Sequence, residues 1–186
     1  MGVTIHYQLG QKKEFIKDNL DSVEIVAKEY QKEAKKYEIP FEIKRFNDLK
    51  LFIDIGGCET LVFNFKPVFE IINKKDAWSY DNAVLTENGT KKLDADLFYT
   101  ASFCKTQFCS NIIEHEFVAN LIRTIASRCR LADVYDEGDY YHTGKIENAS
   151  DNIKENGKMI NGLMSQLNSL GYSKDNIITH KTHLKN

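Results

Sequence analysis

Most of the side chains that could do chemistry lie in one stretch of the chain, from Leu97 to His142. Near its end, the run Asp136-Glu137-Gly138-Asp139 sets three carboxylates around a glycine. Clusters of oxygen ligands suit Mg²⁺ or Ca²⁺, although this run lacks the alternating ligands of a calcium loop. We predict a site for a divalent metal or a cationic ligand here, with His142 as a further ligand. The alternative is an acidic loop whose aromatic neighbours pack against its flank.

A single histidine, His115, lies in a predicted amphipathic helix at the margin of its apolar face. An unperturbed imidazole has a pKa of about 6.5, so His115 suits an acid, a base or a metal ligand. The alternative is a partly buried histidine bonded to a neighbouring carbonyl. We predict a reactive set of His115, Asp136 and Glu137, in which one of the two carboxylates acts as base or ligand.

A polar turn, Lys105-Thr106-Gln107, directly follows a predicted strand. Polar groups at strand ends often face clefts, so we predict that Lys105 and Gln107 bind an anionic or amide-bearing ligand. Tyr140 completes the predicted ligand-binding set, with the alternative that it only fills the edge of the cleft. The alternative for the turn as a whole is ordinary turn chemistry exposed to solvent.

The four cysteines show no C-x-x-C spacing, and we expect reduced thiols. They are Cys58, Cys104, Cys109 and Cys129. Only Cys104 and Cys109 are loosely paired along the chain, which does not favour a cysteine metal site. Cys58 follows Gly56-Gly57, so a nucleophile on a tight turn is conceivable, but no histidine partner is identifiable.

The elements that must position these residues follow from hydrophobic periodicity. Val3 to Leu9 alternates as a half-buried strand. A helical stripe then recurs at steps of three and four, and Ile39-Pro40 ends the helix. The stripe consists of Ile16, Leu20, Val23, Ala27, Tyr30, Ala34 and Tyr37.

After Pro40 the period changes to two, which predicts a meander of three antiparallel strands. These strands are Phe41–Phe46, Leu51–Ile55 and Leu61–Phe65, with turns at Asn47-Asp48 and Gly56-Gly57. Residues 66–81 could form a short helix or irregular packing, and a short strand over 83–86 precedes a turn at Asn88-Gly89. Leu97 to Cys104 is the next strong strand, and Leu131 to Tyr135 a last short one.

Two further helices are predicted in the second half of the chain. Asn111 and Glu114 have the spacing of a capping box, and the helix behind them buries Val118, Leu121, Ile122, Ile125 and Cys129. Thr143 or Ser150 caps a long final helix. Its stripe is Ile146, Ala149, Ile153, Ile160, Leu163, Leu167 and Leu170.

This order of elements predicts an α+β fold, a mainly antiparallel sheet with long helices packed on one face. The other face stays partly open, and the polar alternates His6, Asp54, Asn64, Thr100 and Ser102 could share it. We expect one α+β domain over residues 1–172, followed by a tail or added edge segment over residues 173–186.

Composition excludes several classes of function. The net charge of −2 is spread over 186 residues, so we expect no nucleic-acid surface. No apolar run approaches the ~18 residues of a membrane-spanning helix, and the N-terminus lacks the pattern of a signal peptide. We therefore expect a cytoplasmic protein without nucleic-acid or membrane partners.

Three short motifs resemble an uncharacterised family of small cytosolic bacterial and archaeal proteins. They are Thr4-Ile5-His6-Tyr7, Cys104-Lys105-Thr106-Gln107 and Asp136-Glu137-Gly138-x-Tyr140. The family tends to have DEGGYW where this chain has DEGDYY. The resemblance implies a single α+β domain and no assigned activity. Its motifs occur in the same loops that carry the candidate site residues.

We therefore predict that the loops 104–107 and 136–142 form one cleft with His115, which binds a small molecule or a divalent metal. The competing prediction is a non-catalytic protein–protein interaction module, of the partner-binding or immunity type, that uses the open sheet face or the aromatic flank. The pattern does not decide whether the protein is an enzyme.

Overall fold

The computed structural model describes residues 3–67, 84–87, 90–93, 96–109 and 111–169. The strands are β1 (Thr4–Lys12), β2 (Phe41–Asn47), β3 (Lys50–Ile55), β4 (Leu61–Asn64), β5 (Lys66–Pro67), β6 (Val84–Glu87), β7 (Thr90–Leu93), β8 (Leu97–Lys105) and β9 (Leu131–Asp136). The helices are α1 (Lys13–Ala34), α2 (Ile112–Ala126), α3 (Tyr140–Thr143) and α4 (Glu147–Ser169). Helices and antiparallel strands together confirm the predicted α+β class.

The main sheet has the strand order β5-β8-β1-β9, and all of its neighbours are antiparallel. Its central strand β1 alternates as predicted, because Ile5, Tyr7 and Leu9 are buried. In the register, Tyr7 stands opposite Ser102 on one side and Val134 on the other. This face of the sheet therefore lines the core.

The predicted meander is confirmed as a second sheet, in the order β2-β3-β4. It joins the main sheet through side chains. The Tyr7 hydroxyl donates to the Val62 carbonyl at 2.6 Å and accepts from the Val62 N–H at 3.1 Å. Nearby, the Asn64 N–H donates to Thr100 Oγ1 at 3.1 Å. We call this junction between the two sheets, formed by Tyr7, Val62, Asn64 and Thr100, the seam.

Helices α1 and α2 supply the other half of the core. Ile16, Leu20 and Val23 of α1 are buried, as the stripe predicts, and Tyr30 stacks on Phe117 of α2 at 4.6 Å between ring centroids. The end of the predicted stripe is wrong. A 3-10 turn replaces the α-helix after Ala34, so the direction of the side chains changes and Tyr37 is exposed.

The register of β1 and β8 corrects the predicted open face. Thr100 stands opposite Leu9, and Ser102 opposite Tyr7, so both lie on the core face and not beside His6. Phe103 and Tyr135 stand opposite His6 on the outer face, and all three are exposed. Their rings form a row across three strands, with centroids 5.9 Å and 6.2 Å from that of His6. We call these three residues the aromatic row.

The final helix begins at Glu147, so neither Thr143 nor Ser150 is its cap. Thr143 ends the short helix α3, and the N–H of Ser150 already bonds the Ile146 carbonyl within the first turn. Ile146 packs against the core, but Leu163 of the predicted stripe is exposed. The predictions for residues 68–83, for Asn88-Gly89 and for the segment 173–186 lie outside the described residues.

None of the described helices combines the length and the apolar character needed to cross a membrane.

Candidate functional site

The candidate site forms where the end of β8 meets the turn between β3 and β4. Thr106 follows β8, and its N–H donates to the Val3 carbonyl at 2.8 Å. The Cys109 N–H then closes a turn onto the Thr106 carbonyl at 3.1 Å. On the other side, the Glu59 N–H donates to the Lys105 carbonyl at 2.9 Å. The bond between Glu59 and Lys105 holds turn 106–109 beside turn 56–58.

The start of helix α2 is held by the predicted capping box. The Asn111 side chain accepts from the Ile113 N–H at 3.1 Å, and Glu114 Oε1 accepts from the Asn111 N–H at 3.1 Å. The other oxygen, Glu114 Oε2, accepts from the Gly57 N–H at 2.7 Å. Glu114 is fully buried, so its carboxylate links the helix start to turn 56–58 in the interior.

Two glycines allow this close approach. Gly56 has a φ of +46°, and a Cβ at this position would overlap the Glu114 carboxylate. A Cβ on Gly57 would overlap the carbonyl oxygen of Phe108. The sequence predicts a tight turn here, and the structure adds that no larger residue fits between the two loops.

The same approach gathers three of the cysteines. Cys58 Sγ lies 3.1 Å from Cys109 Sγ, and Cys58 also hydrogen-bonds Cys104. Cys104 in turn donates to the Glu59 carbonyl at 3.0 Å. The Sγ atoms of Cys58 and Cys109 and a carboxylate oxygen of Glu114 all lie within 4.8 Å of one another. We call Cys58, Cys104, Cys109 and Glu114 the thiol cluster.

The surroundings of the thiols control their protonation. Hydrogen bonds with Cys104 and Cys109, together with burial, hold the pKa of Cys58 well above its usual range. Cys129 does not belong to the thiol cluster, and burial raises its pKa to about 12. Both thiols are therefore protonated at neutral pH, and Cys58 becomes a nucleophile or a ligand only when its proton leaves.

The predicted residues His115 and Asp136 do converge, but in the interior. His115 Nε2 lies 3.4 Å from Asp136 Oδ2, and neither side chain has any exposed surface. His115 Nδ1 lies 2.7 Å from Thr106 Oγ1, which is itself 3.2 Å from the Val3 carbonyl. The sequence predicts that His115 lies at the margin of the apolar face, whereas the structure buries it completely.

Asp136 also organises the loop that follows β9. Its two oxygens accept from the Gly138 N–H and the Tyr141 N–H, each at 2.8 Å. Burial raises the pKa of Asp136, but the His115 imidazole and these two N–H groups lower it by more, so the pKa lies below its usual range. The buried carboxylate is therefore charged at neutral pH, and it holds the loop after β9 through these hydrogen bonds.

The remaining predicted residues take separate positions. Glu137 is exposed, whereas the Tyr140 hydroxyl donates to Glu116 Oε1 at 2.8 Å and its ring lies 6.0 Å from that of His115. Lys105 Nζ lies 3.5 Å from Glu59 Oε1. These contacts leave Glu137 and Lys105 on the surface and enclose Tyr140.

Gln107 and His142 are the last two of the predicted site residues. Gln107 is partly buried in turn 106–109. His142 is exposed, and its Nε2 hydrogen-bonds the Val134 carbonyl at 3.0 Å. The catalytic and ligand-binding roles suggested by the sequence stay predictions.

Sequence reasoning missed the thiol cluster, because Cys58 is 51 positions from Cys109 along the chain. Two signals were present. Gly56-Gly57 directly precedes Cys58, and Glu114 occupies the third position of the capping box. Only the packing of the sheet that contains β3 and β4 against the sheet that contains β8 brings them together.

Comparisons of the chain with protein-family models, with curated proteins and with solved structures find no match.

Proposed function

We propose that this protein binds a thiophilic divalent metal ion of the Zn²⁺ type through Cys58, Cys109 and Glu114. One observation carries the proposal, namely that the ligand atoms of these three residues lie within 4.8 Å of one another. They come from three separate elements, the β3–β4 turn, the loop after β8 and the first turn of α2.

The three ligand atoms fit around a tetrahedral ion if they move slightly closer together. Zinc lies about 2.3 Å from sulfur and about 2.0–2.2 Å from carboxylate oxygen, so two of its ligand atoms are roughly 3–4 Å apart. The two sulfur atoms, at 3.1 Å, are already within that range of separation. Loss of the thiol protons would let both sulfurs turn toward a shared ion.

The ligand types select the metal. Thiolate sulfur favours Zn²⁺ and other soft ions, whereas Mg²⁺ and Ca²⁺ prefer oxygen ligands. The N–H of Gly57 donates to Glu114 Oε2 and so orients the carboxylate. Cys104 hydrogen-bonds Cys58, but it is not among the three residues whose ligand atoms lie within 4.8 Å of one another.

This proposal keeps the divalent metal of the sequence hypothesis and changes its ligands. The hypothesis used the loops 104–107 and 136–142, with Asp136 or Glu137 as ligand. Asp136 instead binds the N–H groups of its own loop, and Glu137 is exposed without a neighbouring ligand set among the described residues.

The test is a zinc titration of untagged, reduced protein freed of metal with EDTA. We expect one ion per chain in the wild type and in Cys129→Ser, the matched cysteine control. Cys58→Ser and Cys109→Ser should each weaken binding at least about tenfold, because a hydroxyl is a poor substitute for a thiolate ligand. Excess Mg²⁺ or Ca²⁺ should not compete.

Cobalt provides an independent readout of the ligands. Co²⁺ bound to thiolates gives an intense near-ultraviolet charge-transfer band, which Cys58→Ser should reduce and Cys129→Ser should leave unchanged. Either the absence of stoichiometric zinc binding, or equal zinc affinity in Cys58→Ser and wild type, would refute the proposal.

The second candidate function is protein–protein interaction, and the aromatic row favours it. Phe103 is 46% exposed and Tyr135 is 63% exposed on the same face of the sheet. Within the described residues, β9 also pairs on one side only. A second copy of this chain is the first partner to test, since an edge strand can pair with its own copy.

Sedimentation velocity over a range of protein concentrations tests this candidate. Self-association in the wild type that is lost in the double variant Phe103→Ser, Tyr135→Ser would support it. Phe46→Ser, which changes an exposed phenylalanine on β2 outside the row, is the control. A wild type that stays monomeric throughout would contradict self-association.

A further inference from the structure

Cys58 and Cys109 are arranged for a reaction as well as for binding. Their sulfur atoms are 3.1 Å apart, and a disulfide bond needs about 2.05 Å. The two turns that carry them are already in backbone contact, since a Cβ on Gly57 would meet Phe108 and Cys109. The two thiols can therefore form a disulfide bond with little movement of the chain.

We infer that Cys58 and Cys109 form a reversible intramolecular disulfide, which makes this pair an oxidation site for small-molecule disulfides of the glutathione type. The inference needs only the two thiols. It bears on the proposed function because a metal ion and a disulfide would require the same two sulfur atoms.

The chemistry proceeds in two exchange steps. Cys109, in a partly buried loop beside the exposed Phe108, attacks the small disulfide as its thiolate. A mixed disulfide forms on Cys109, and one small thiol leaves. The thiolate of Cys58 then attacks Cys109 Sγ, forms the internal bond and displaces the second small thiol. Two protein thiols are oxidised, one external disulfide is reduced to two thiols, and both protons pass to the leaving groups.

The geometry favours the second step, the attack of Cys58 on Cys109, so we expect little of the mixed disulfide to accumulate. Cys58 Sγ is held next to Cys109 Sγ, so the second attack is intramolecular and has the advantage of a high effective concentration. Cys104 competes less well, because it is fully buried and its S–H already donates to the Glu59 carbonyl. The geometry therefore assigns the bond to Cys58 and Cys109 specifically.

The experiment uses metal-free full-length protein, so it does not depend on zinc binding. The protein is incubated with oxidised glutathione, its remaining thiols are blocked, and peptides are mapped by mass spectrometry without reduction. We expect a peptide linked through Cys58 and Cys109 and a loss of two of the four thiols. Cys129→Ser should show the same link, and dithiothreitol should reverse it.

Variants identify the order of the steps and the competing outcomes. Cys58→Ser should accumulate glutathione on Cys109, and Cys109→Ser should react more slowly. A link through Cys104, or a wild type that carries only mixed disulfides, would overturn the assignment. In a separate arm, protein preloaded with Zn²⁺ should resist oxidation. If the link forms but zinc gives no protection, the disulfide stands and the metal proposal fails.

Discussion

His115 Nε2 faces Asp136 Oδ2 at 3.4 Å in a part of the core where neither side chain is exposed. This distance exceeds that of an ordinary N–H···O hydrogen bond, so the stability of the pair depends on its surroundings. Asp136 has two backbone N–H donors, and His115 has the Thr106 hydroxyl. The pair therefore joins β9, α2 and the end of β8 in one polar network.

Asp136→Asn should lower the free energy of unfolding by about 2–3 kcal/mol, because an amide NH₂ would face a backbone N–H that now donates to a charged oxygen. Urea unfolding at neutral pH measures this change. Glu137→Gln is the matched control, since Glu137 is exposed, and its effect should stay within about 0.5 kcal/mol. Equal stability of Asp136→Asn and wild type would contradict a structural role for the network.

The same carboxylate predicts how stability depends on pH. The pKa of Asp136 in the folded protein lies below the ordinary value of 3.8, so the unfolded chain takes up the proton first. The stabilising contribution is therefore complete above that ordinary value and is lost as the pH falls through the lower folded-state pKa. Urea unfolding from pH about 5 downward should show a steeper acid loss in wild type than in Asp136→Asn. Parallel curves would rule out Asp136 as the cause.

Gly57→Ala should separate the two turns that carry the thiols, because its Cβ would overlap the Phe108 carbonyl. We expect a loss of stability of about 1–3 kcal/mol and a weaker affinity for zinc. Gly162→Ala is the control, since nothing lies within 4 Å of its Cβ, and alanine should favour helix α4 by up to about 1 kcal/mol. Thermal unfolding and a zinc titration of both variants decide the matter. A fully stable, zinc-binding Gly57→Ala would show that the close approach is not required.

Asn111→Ala should destabilise the start of α2 by about 1 kcal/mol, because the Ile113 N–H loses its acceptor. Asn111→Ser should retain most of the stability, since serine also caps helices. The alanine variant should in addition bind zinc more weakly, because the cap fixes the backbone that carries Glu114. Chemical denaturation and a metal titration of the two variants provide the comparison, and identical behaviour would argue against a link between cap and site.

Local patterns predicted the parts of the fold that depend on local interactions. Alternation located β1, the three-four stripe located α1, and the spacing of Asn111 and Glu114 located the start of α2. Each of these signals lies within a few residues along the chain. Where the local geometry changes, as in the 3-10 turn that contains Tyr37, the helical pattern predicts the wrong direction for the side chain.

Local patterns do not predict the register of the strands or the contacts between residues that are far apart in the sequence. Periodicity shows that Thr100 and His6 alternate with apolar residues, but only the pairing of Thr100 with Leu9 shows that they lie on opposite faces. Likewise, the cysteine spacing gave no indication of a site, since Cys58 reaches Cys109 through the packing of two sheets. The predicted cleft and the thiol cluster both include the loop after β8, but they use different residues.

The seam between the sheets has a consequence for the mechanics of the molecule. Tyr7 and Thr100 occupy backbone groups of β4 that another strand would otherwise pair with, so side chains replace part of a ladder there. Cys58 lies in the β3–β4 turn of the sheet on one side of this junction, and Cys109 lies in the loop after β8 of the sheet on the other. A disulfide bond between these two sulfurs, or a metal ion bound by both, would therefore cross-link the two sheets. This cross-link should slow deuterium uptake at the backbone amides of Val62 and Asn64.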